Sequence, residues 1–196
     1  MIYTENTRKA MLIAYNAHLG QLDKLGIPYI YHPIHLAEQM DTEEECIVAL
    51  LHDVVEDTDI TFEILEKEFS KTVIEALKLL THNKLTKYME YIKKLEGNPI
   101  SKKVKIADLM HNSDIERMRL LPEQERKRLT KKYEEAINYL NRTRIEFYFS
   151  ILPQAILIPE FPLGWVLKSS GESWIIITLP IMSEILNLFT STLIYA

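Results

Sequence analysis

The run Thr42-Glu43-Glu44-Glu45-Cys46-Ile47-Val48-Ala49-Leu50-Leu51-His52-Asp53 decides the fold. Thr42, with Glu45 three residues on, makes a capping box, so a helix starts there. The apolar stretch Ile47–Leu51 pulls the end of this helix towards a core. It delivers His52 and Asp53 to a place where a lone charge is costly unless paired or metal-bound.

Outward from this helix the chain reads as further helices with short breaks. Residues 6–19 set Ala10, Ile13, Ala14 and Leu19 at helical spacings. A loop through Gly20, Gly26 and Pro28 follows, and Pro33 fits the first turn of the next helix, where a missing N–H costs nothing. Thr61 is placed to cap a helix over Phe62–Phe69, and Ser70 one over Val73–Leu80. Helices are also expected over Leu85–Leu95, closed by Gly97, and from about Ser101 through Asp108. Pro122 opens a last long one, to about Leu140. The body is therefore an all-α bundle.

Composition agrees with a globular domain: 47% hydrophobic and 26% charged residues, with a net charge of −5. That charge gives no support to a nucleic-acid partner, which would need a basic face. Cys46 has no second cysteine to pair with and sits in an apolar run, so a buried, inert thiol is expected. Met11–Tyr15 is too short for a signal-peptide core, and a reducing cytoplasm is the expected setting.

The chain changes character near its end. After residue 150 only Glu160, Lys168, Glu172 and Glu184 are charged. Two segments are expected: a soluble body over 1–146 and an apolar C-terminal extension over 147–196. Trp174–Ala196 is long enough to span a bilayer. Pro180, Glu184 and several Ser, Thr and Asn residues oppose that, since a mid-membrane acid costs about 3 kcal/mol. The extension reads as a segment packed on the body, or between copies of the chain in a homo-oligomer. A membrane anchor is the weaker alternative.

The chemistry gathers around His52-Asp53. Adjacent helical residues point about 100° apart, so an imidazole and a carboxylate grip one ion from neighbouring directions. Glu56 is i+4 from His52 and Asp57 is i+4 from Asp53, which sets a second acidic pair one turn on. His32, before Pro33, and Asp108, in the apolar-periodic segment Val104–Met110, are two more candidate ligands. Two imidazoles and two carboxylates suit a divalent first-row ion, with manganese, iron and zinc as candidates. Such a site lowers the pKa of a bound water. Taken singly, His32 reads equally as a turn residue and Asp108 as a satisfied buried carboxylate.

The blocks Pro28-Tyr29-Ile30-Tyr31-His32-Pro33, Leu50-Leu51-His52-Asp53-Val54-Val55-Glu56-Asp57-Thr58, Leu80-Thr81 and Val104-Lys105-Ile106-Ala107-Asp108 … His111-Asn112 stand in that order. Together they resemble the HD-type hydrolase domain of the RelA/SpoT homologue family, over roughly residues 6–116. The resemblance implies an HD-domain helical bundle that removes the 3′-pyrophosphate of (p)ppGpp with manganese. It implies metal ligation by His32, His52, Asp53 and Asp108, and water activation by Glu56 and Asp57. Lys24, Lys84 and Asn112 match substrate-contacting positions of the family. His18 matches a non-ligand histidine and is expected to be hydrogen-bonded in the core. His35, His82 and His111 are expected to be structural. The resemblance covers the hydrolase only, so alarmone synthesis is not expected.

One departure concerns substrate. Asp23-Lys24 stands where the family usually has Arg-Lys, whose arginine packs on guanine. An aspartate cannot stack in that way and would repel phosphates. Asp23→Arg is therefore expected to improve ppGpp binding. The same departure keeps a second reading open, an HD phosphohydrolase of another phosphorylated nucleotide such as a nucleoside phosphate or NADPH. A third reading, a nucleotide-sensing metal-binding module without turnover, leaves Glu56 and Asp57 without a task.

Overall fold

The capping box at Thr42 is formed: the Glu45 N–H donates to Thr42 Oγ1 at 3.2 Å, and Glu45 Oε2 accepts from the Thr42 N–H at 3.3 Å. The computed structural model describes residues 1–83 and 85–151, together with 155–156, 164–168 and 174–178. They fall in two compact units, residues 1–140 and 141–196.

The helices in chain order are α1 (Glu5–Ala17), α2 (Tyr31–Glu38), α3 (Glu43–Leu51), α4 (Val54–Asp57), α5 (Phe62–Leu65), α6 (Lys71–Leu80), α7 (Tyr88–Lys94), α8 (Pro99–Asn112), α9 (Ile115–Met118) and α10 (Glu123–Ile151). Helix α3 is the axis of the first unit, with α1, α2, α6 and α8 packed against it. Cys46 to Leu51 are all buried, which is the pattern of a helix enclosed on every side. Leu36, Leu50, Leu51, Leu77 and Leu109 are each at most 1% exposed, and each contributes about 1.5–3 kcal/mol by leaving water. Cys46 is among these core residues, as expected. Helix α8 starts at Pro99 behind the Asn98 cap, whose Oδ1 accepts from the Ser101 N–H at 2.9 Å. These caps and this core aim α2, α3 and α8 at one point.

Several sequence-based boundaries shift. Leu19 lies beyond α1 and is 69% exposed. Thr61 makes no side-chain cap, and α5 covers only the first half of the expected Phe62–Phe69 helix. Leu85 is exposed, α7 begins at Tyr88, and Leu95–Gly97 closes it as a 3₁₀ turn. Helix α8 starts ahead of Ser101, and α10 continues past Leu140 to Ile151.

Within the second unit, β1 (Ala155–Ile156), β2 (Gly164–Lys168) and β3 (Trp174–Thr178) form an antiparallel sheet in that order. Val166 pairs with Ile156 on one side and Ile176 on the other. The aromatic and β-branched run Trp174–Thr178 suits a strand, an element the sequence reading did not assign. Among the described residues no helix is long and apolar enough to cross a membrane. Residues 179–196, most of the segment read as long enough to span a bilayer, lie outside the described residues.

Candidate metal centre

His32 sits on α2, His52 at the C-terminal cap of α3, Asp53 in the break before α4, and Asp108 on α8. Four stretches far apart in sequence thus meet. His32 Nε2 lies 3.3 Å from His52 Nε2 and 3.3 Å from Asp108 Oδ1. His52 Nε2 lies 2.8 Å from Asp53 Oδ2. One donor atom each of His32, His52 and Asp53 falls within 4.8 Å of the others, and Asp108 joins the group through His32.

Each of the four is held from behind. The Ala49 carbonyl accepts from His52 Nδ1 at 2.9 Å, which puts the hydrogen of neutral His52 on Nδ1 and leaves the Nε2 lone pair facing the cluster. Tyr29 Oη donates to Asp53 Oδ2. Lys105 Nζ lies 2.7 Å from Asp108 Oδ2, and Asn112 Nδ2 donates to Asp108 Oδ1 at 2.5 Å. His32 Nδ1 meets His111 Nδ1 at 2.7 Å.

The electrostatics are those of a cation site. Burial opposes charge on His52, yet Asp53 and Asp108 beside it and the Ala49 carbonyl raise it to about 9. Burial likewise opposes the Asp53 carboxylate, but the His52 imidazolium and the Tyr29 hydroxyl hold it down at about 2. Asp108 is driven well below the usual carboxylate range by Lys105, His32 and His52, against its burial. A proton on His52 and the Lys105 ammonium balance the two carboxylates. A divalent ion at the same point would displace that proton and take over its charge. Two imidazole nitrogens with two carboxylates fit such an ion, of the first-row transition type.

The acidic pair lies on the short α4. The helix breaks at His52 and Asp53 and then resumes, with the Asp57 N–H donating to the Asp53 carbonyl at 2.9 Å. Glu56 Oε2 accepts from the His82 N–H at 2.9 Å, which ties that carboxylate to the chain just after α6. Asp57 is exposed at the protein surface. Its carboxyl is nonetheless raised above its ordinary value, by partial burial and by the neighbouring charges of Asp53 and Glu56.

A cavity of about 310 Å³ opens beside His32 and Tyr29, and Lys24, Asn112, Arg117 and Tyr133 also line it. The Lys24 side chain is 59% exposed, with Nζ 3.7 Å from Glu125 Oε1. Lys84 lies outside the described residues. His18 is buried, with Nδ1 2.7 Å from Gln21 Oε1 and with Nε2 unpartnered, so its expected hydrogen bonding is half met.

Two readings of the sequence change here. Asp23 was expected to repel phosphates. Instead Arg117 Nη2 lies 2.8 Å from Asp23 Oδ2, while Asp23 Oδ1 accepts the N–H groups of Leu25 and Ile27. His111, expected to be structural, touches His32 directly and also packs on His35, with ring centroids 4.4 Å apart. The signal for Lys105 and His111 was present in the sequence: both lie three residues from Asp108 on one helix, within a turn of it. Nothing in the sequence joined Arg117 to Asp23.

No protein-family model matches the sequence. The bifunctional (p)ppGpp synthase/hydrolase SpoT of Escherichia coli is 46% identical over 72 residues, 35% of this chain and 10% of that protein. The guanosine-3′,5′-bis(diphosphate) 3′-pyrophosphohydrolase of Haemophilus influenzae is 46% identical over 68 residues, 33% of this chain and 10% of that protein. A putative chloroplastic GTP diphosphokinase, RSH1, of Oryza sativa is 43% identical over 105 residues, 51% of this chain and 11% of that protein. The chain thus matches about a tenth of the length of these curated relatives. A solved structure of a metazoan ortholog of SpoT, described as hydrolyzing ppGpp and acting in starvation responses, superposes with a TM-score of 0.58 at 23% identity. It covers 74% of this chain and 98% of that one, a likeness of fold. Over a third to a half of its length the chain is thus similar in sequence to RelA/SpoT-type proteins, and its fold is that of the metazoan SpoT ortholog's HD-type hydrolase domain.

Proposed function

We propose that the chain is a metal-dependent phosphohydrolase that removes pyrophosphate from the 3′ position of (p)ppGpp. The observation that carries this reading is the meeting of His32, His52, Asp53 and Asp108 beside a cavity whose wall includes Lys24 and Arg117. The curated relatives, two of them named for (p)ppGpp hydrolysis, supply the substrate class.

In this reading the four side chains hold the ion, with manganese first and iron or zinc as alternatives within the same donor set. When bound, the ion supplies a water of lowered pKa and screens phosphate charge. Asp57 accepts a proton from the attacking water, its raised carboxyl being the stronger base for it. Glu56, anchored through His82, orients that water. A bond forms from the water oxygen to the phosphorus on the ribose 3′ oxygen. The bond between that phosphorus and the 3′ oxygen breaks, and the oxygen takes up a proton to leave a 3′ hydroxyl. Lys24 draws phosphates into the cavity while Arg117 neutralises Asp23, and Asn112 meets the sugar with the part of its amide not bonded to Asp108. Residues 1–146 serve as the hydrolase domain and 147–196 as an extension, in a cytoplasmic setting.

The test is turnover of a nucleotide panel with added manganese. Pyrophosphate release from ppGpp that stops with chelator supports the reading. Turnover of a nucleoside phosphate or NADPH, with ppGpp untouched, replaces it with the second reading. Tight binding of metal and nucleotide with no product replaces it with a sensor.

A further inference from the structure

His32 stands apart from the other three candidate ligands in what holds it. His52 is fixed by a backbone carbonyl, Asp53 by a phenol, and Asp108 by an ammonium and an amide. His32 is held by a second imidazole, which can donate or accept. The two Nδ1 atoms are 2.7 Å apart, the ring planes are within 18° of parallel, and the centroids are 4.9 Å apart. Nitrogens that close cannot belong to rings stacked face to face, so the rings meet edge to edge in a common plane. That is the geometry of an N–H···N hydrogen bond, with one proton between two nitrogens.

Which ring owns that proton decides whether His32 can bind a metal. If His111 donates, neutral His32 carries its hydrogen on Nε2, the atom that faces His52 and Asp108. It then has no lone pair to offer there. If His111 accepts, His32 carries its hydrogen on Nδ1, and Nε2 is a ligand.

We infer that His111 is the positioning residue of the metal centre: as the Nε2–H tautomer it accepts from His32 Nδ1–H and so arms His32 Nε2. It does for His32 what the Ala49 carbonyl does for His52. Contacts of this kind behind a ligating histidine set both ring orientation and basicity. His35, on the same helix as His32, packs against His111 and keeps its ring in the shared plane. The inference rests on the metal-site part of the proposed function, but not on the identity of the nucleotide.

The test uses the full chain and zinc, with no substrate. Zinc affinity is measured by chelator competition for wild type, His111→Phe and His111→Asn. The phenylalanine keeps a flat ring and has no acceptor, whereas the asparagine places its amide oxygen near the lost Nδ1. Affinity should fall about 10- to 100-fold for His111→Phe. It should return most of the way for His111→Asn. The melting temperatures of the metal-free variants should stay close to each other. In the zinc-loaded wild type, nitrogen-15 spectra should show His32 protonated on Nδ1 and His111 on Nε2. This measurement needs no variant to fold.

Wild-type affinity in His111→Phe, equal losses in both variants, or a His111 protonated on Nδ1 would each overturn the inference. A wild type that takes up no zinc removes the metal reading, and this inference with it. Zinc uptake without ppGpp turnover changes the proposed substrate and leaves His111 in its role.

Discussion

Arg117 Nη2 sits 2.8 Å from Asp23 Oδ2, joining two residues 94 positions apart. The pair links the loop before α2 to the short helix α9, and both residues line the cavity beside the candidate metal centre. Asp23 also caps its own loop through two backbone N–H groups, so its carboxylate is fully engaged. The acid that seemed to spoil an anion site is neutralised by a cation from another part of the chain. The cavity keeps Lys24 as its exposed positive charge.

Asp23→Arg should therefore harm rather than help. It sets two guanidinium groups against each other and leaves the Leu25 and Ile27 N–H groups without their acceptor. The Michaelis constant for ppGpp should rise about tenfold, equivalent to about 1.4 kcal/mol. The maximal rate should change less. Steady-state kinetics at fixed manganese and salt measures this, and a lowered constant would mean that Arg117 leaves Asp23 when substrate binds.

Asp23→Asn should show the same pair in the pH dependence of stability. Although burial works against it, hydrogen bonds from Ile27, Leu25 and Arg117 lower the Asp23 carboxyl below its ordinary value. A depressed carboxyl stabilises fully above its unfolded value, about pH 4, and the contribution fades as pH falls through the folded one. Urea unfolding of wild type and Asp23→Asn should thus differ near neutrality by about 1–3 kcal/mol. The two curves should converge in acid. A constant gap across that range would put the effect outside Asp23.

Glu56→Ala and Asp57→Ala should each abolish turnover and leave metal content near that of wild type. Neither carboxylate belongs to the clustered donor set, and Glu56 is taken up by the His82 N–H. Metal analysis beside product assays separates the two roles. Unchanged rates in both variants would mean that the water is deprotonated elsewhere.

The cluster was legible only as a set: His52-Asp53 stands out at the end of an apolar run, where a lone charge is costly, whereas His32 and Asp108 read singly as structural residues and joined it through the order of the family-like blocks. The capping box at Thr42 and the apolar stretch to Leu51 were equally plain, being local. What escaped was relational. The role of His111 appears only once α8 crosses α2, and the Asp23–Arg117 pair only once α9 is folded against the loop. The helix over Leu85–Leu95 was overextended because apolar spacing alone does not say where packing begins, and Leu85 points into solvent. The strands at 155–178 are not legible by periodicity, because a short continuous apolar run such as Trp174–Thr178 fits a buried strand and a buried helix equally well.

A chain ending at Asn141 should stay folded and bind metal. Among the described side chains of α10, those buried are Leu129, Ala136 and Leu140, all ahead of the cut. Circular dichroism and zinc uptake of the shortened chain test this. Loss of either would place a needed contact beyond residue 141.

Lys105→Met should bring out the link between metal binding and folding. The Lys105 side chain is 15% exposed and pairs with Asp108, 8% exposed, so the ion pair is nearly dry. Removing the ammonium leaves Asp108 short of a counter-charge in a site already holding Asp53. Breaking such a pair costs about 3–5 kcal/mol. A divalent ion returns positive charge to the same carboxylates. Added manganese should therefore raise the melting temperature of Lys105→Met by more than it raises that of wild type, and narrow the gap between them. Thermal melts with and without the ion, in chelator-treated buffer, give the comparison. Equal shifts in the two proteins would show that Asp108 does not feel the ion, and would remove it from the ligand set.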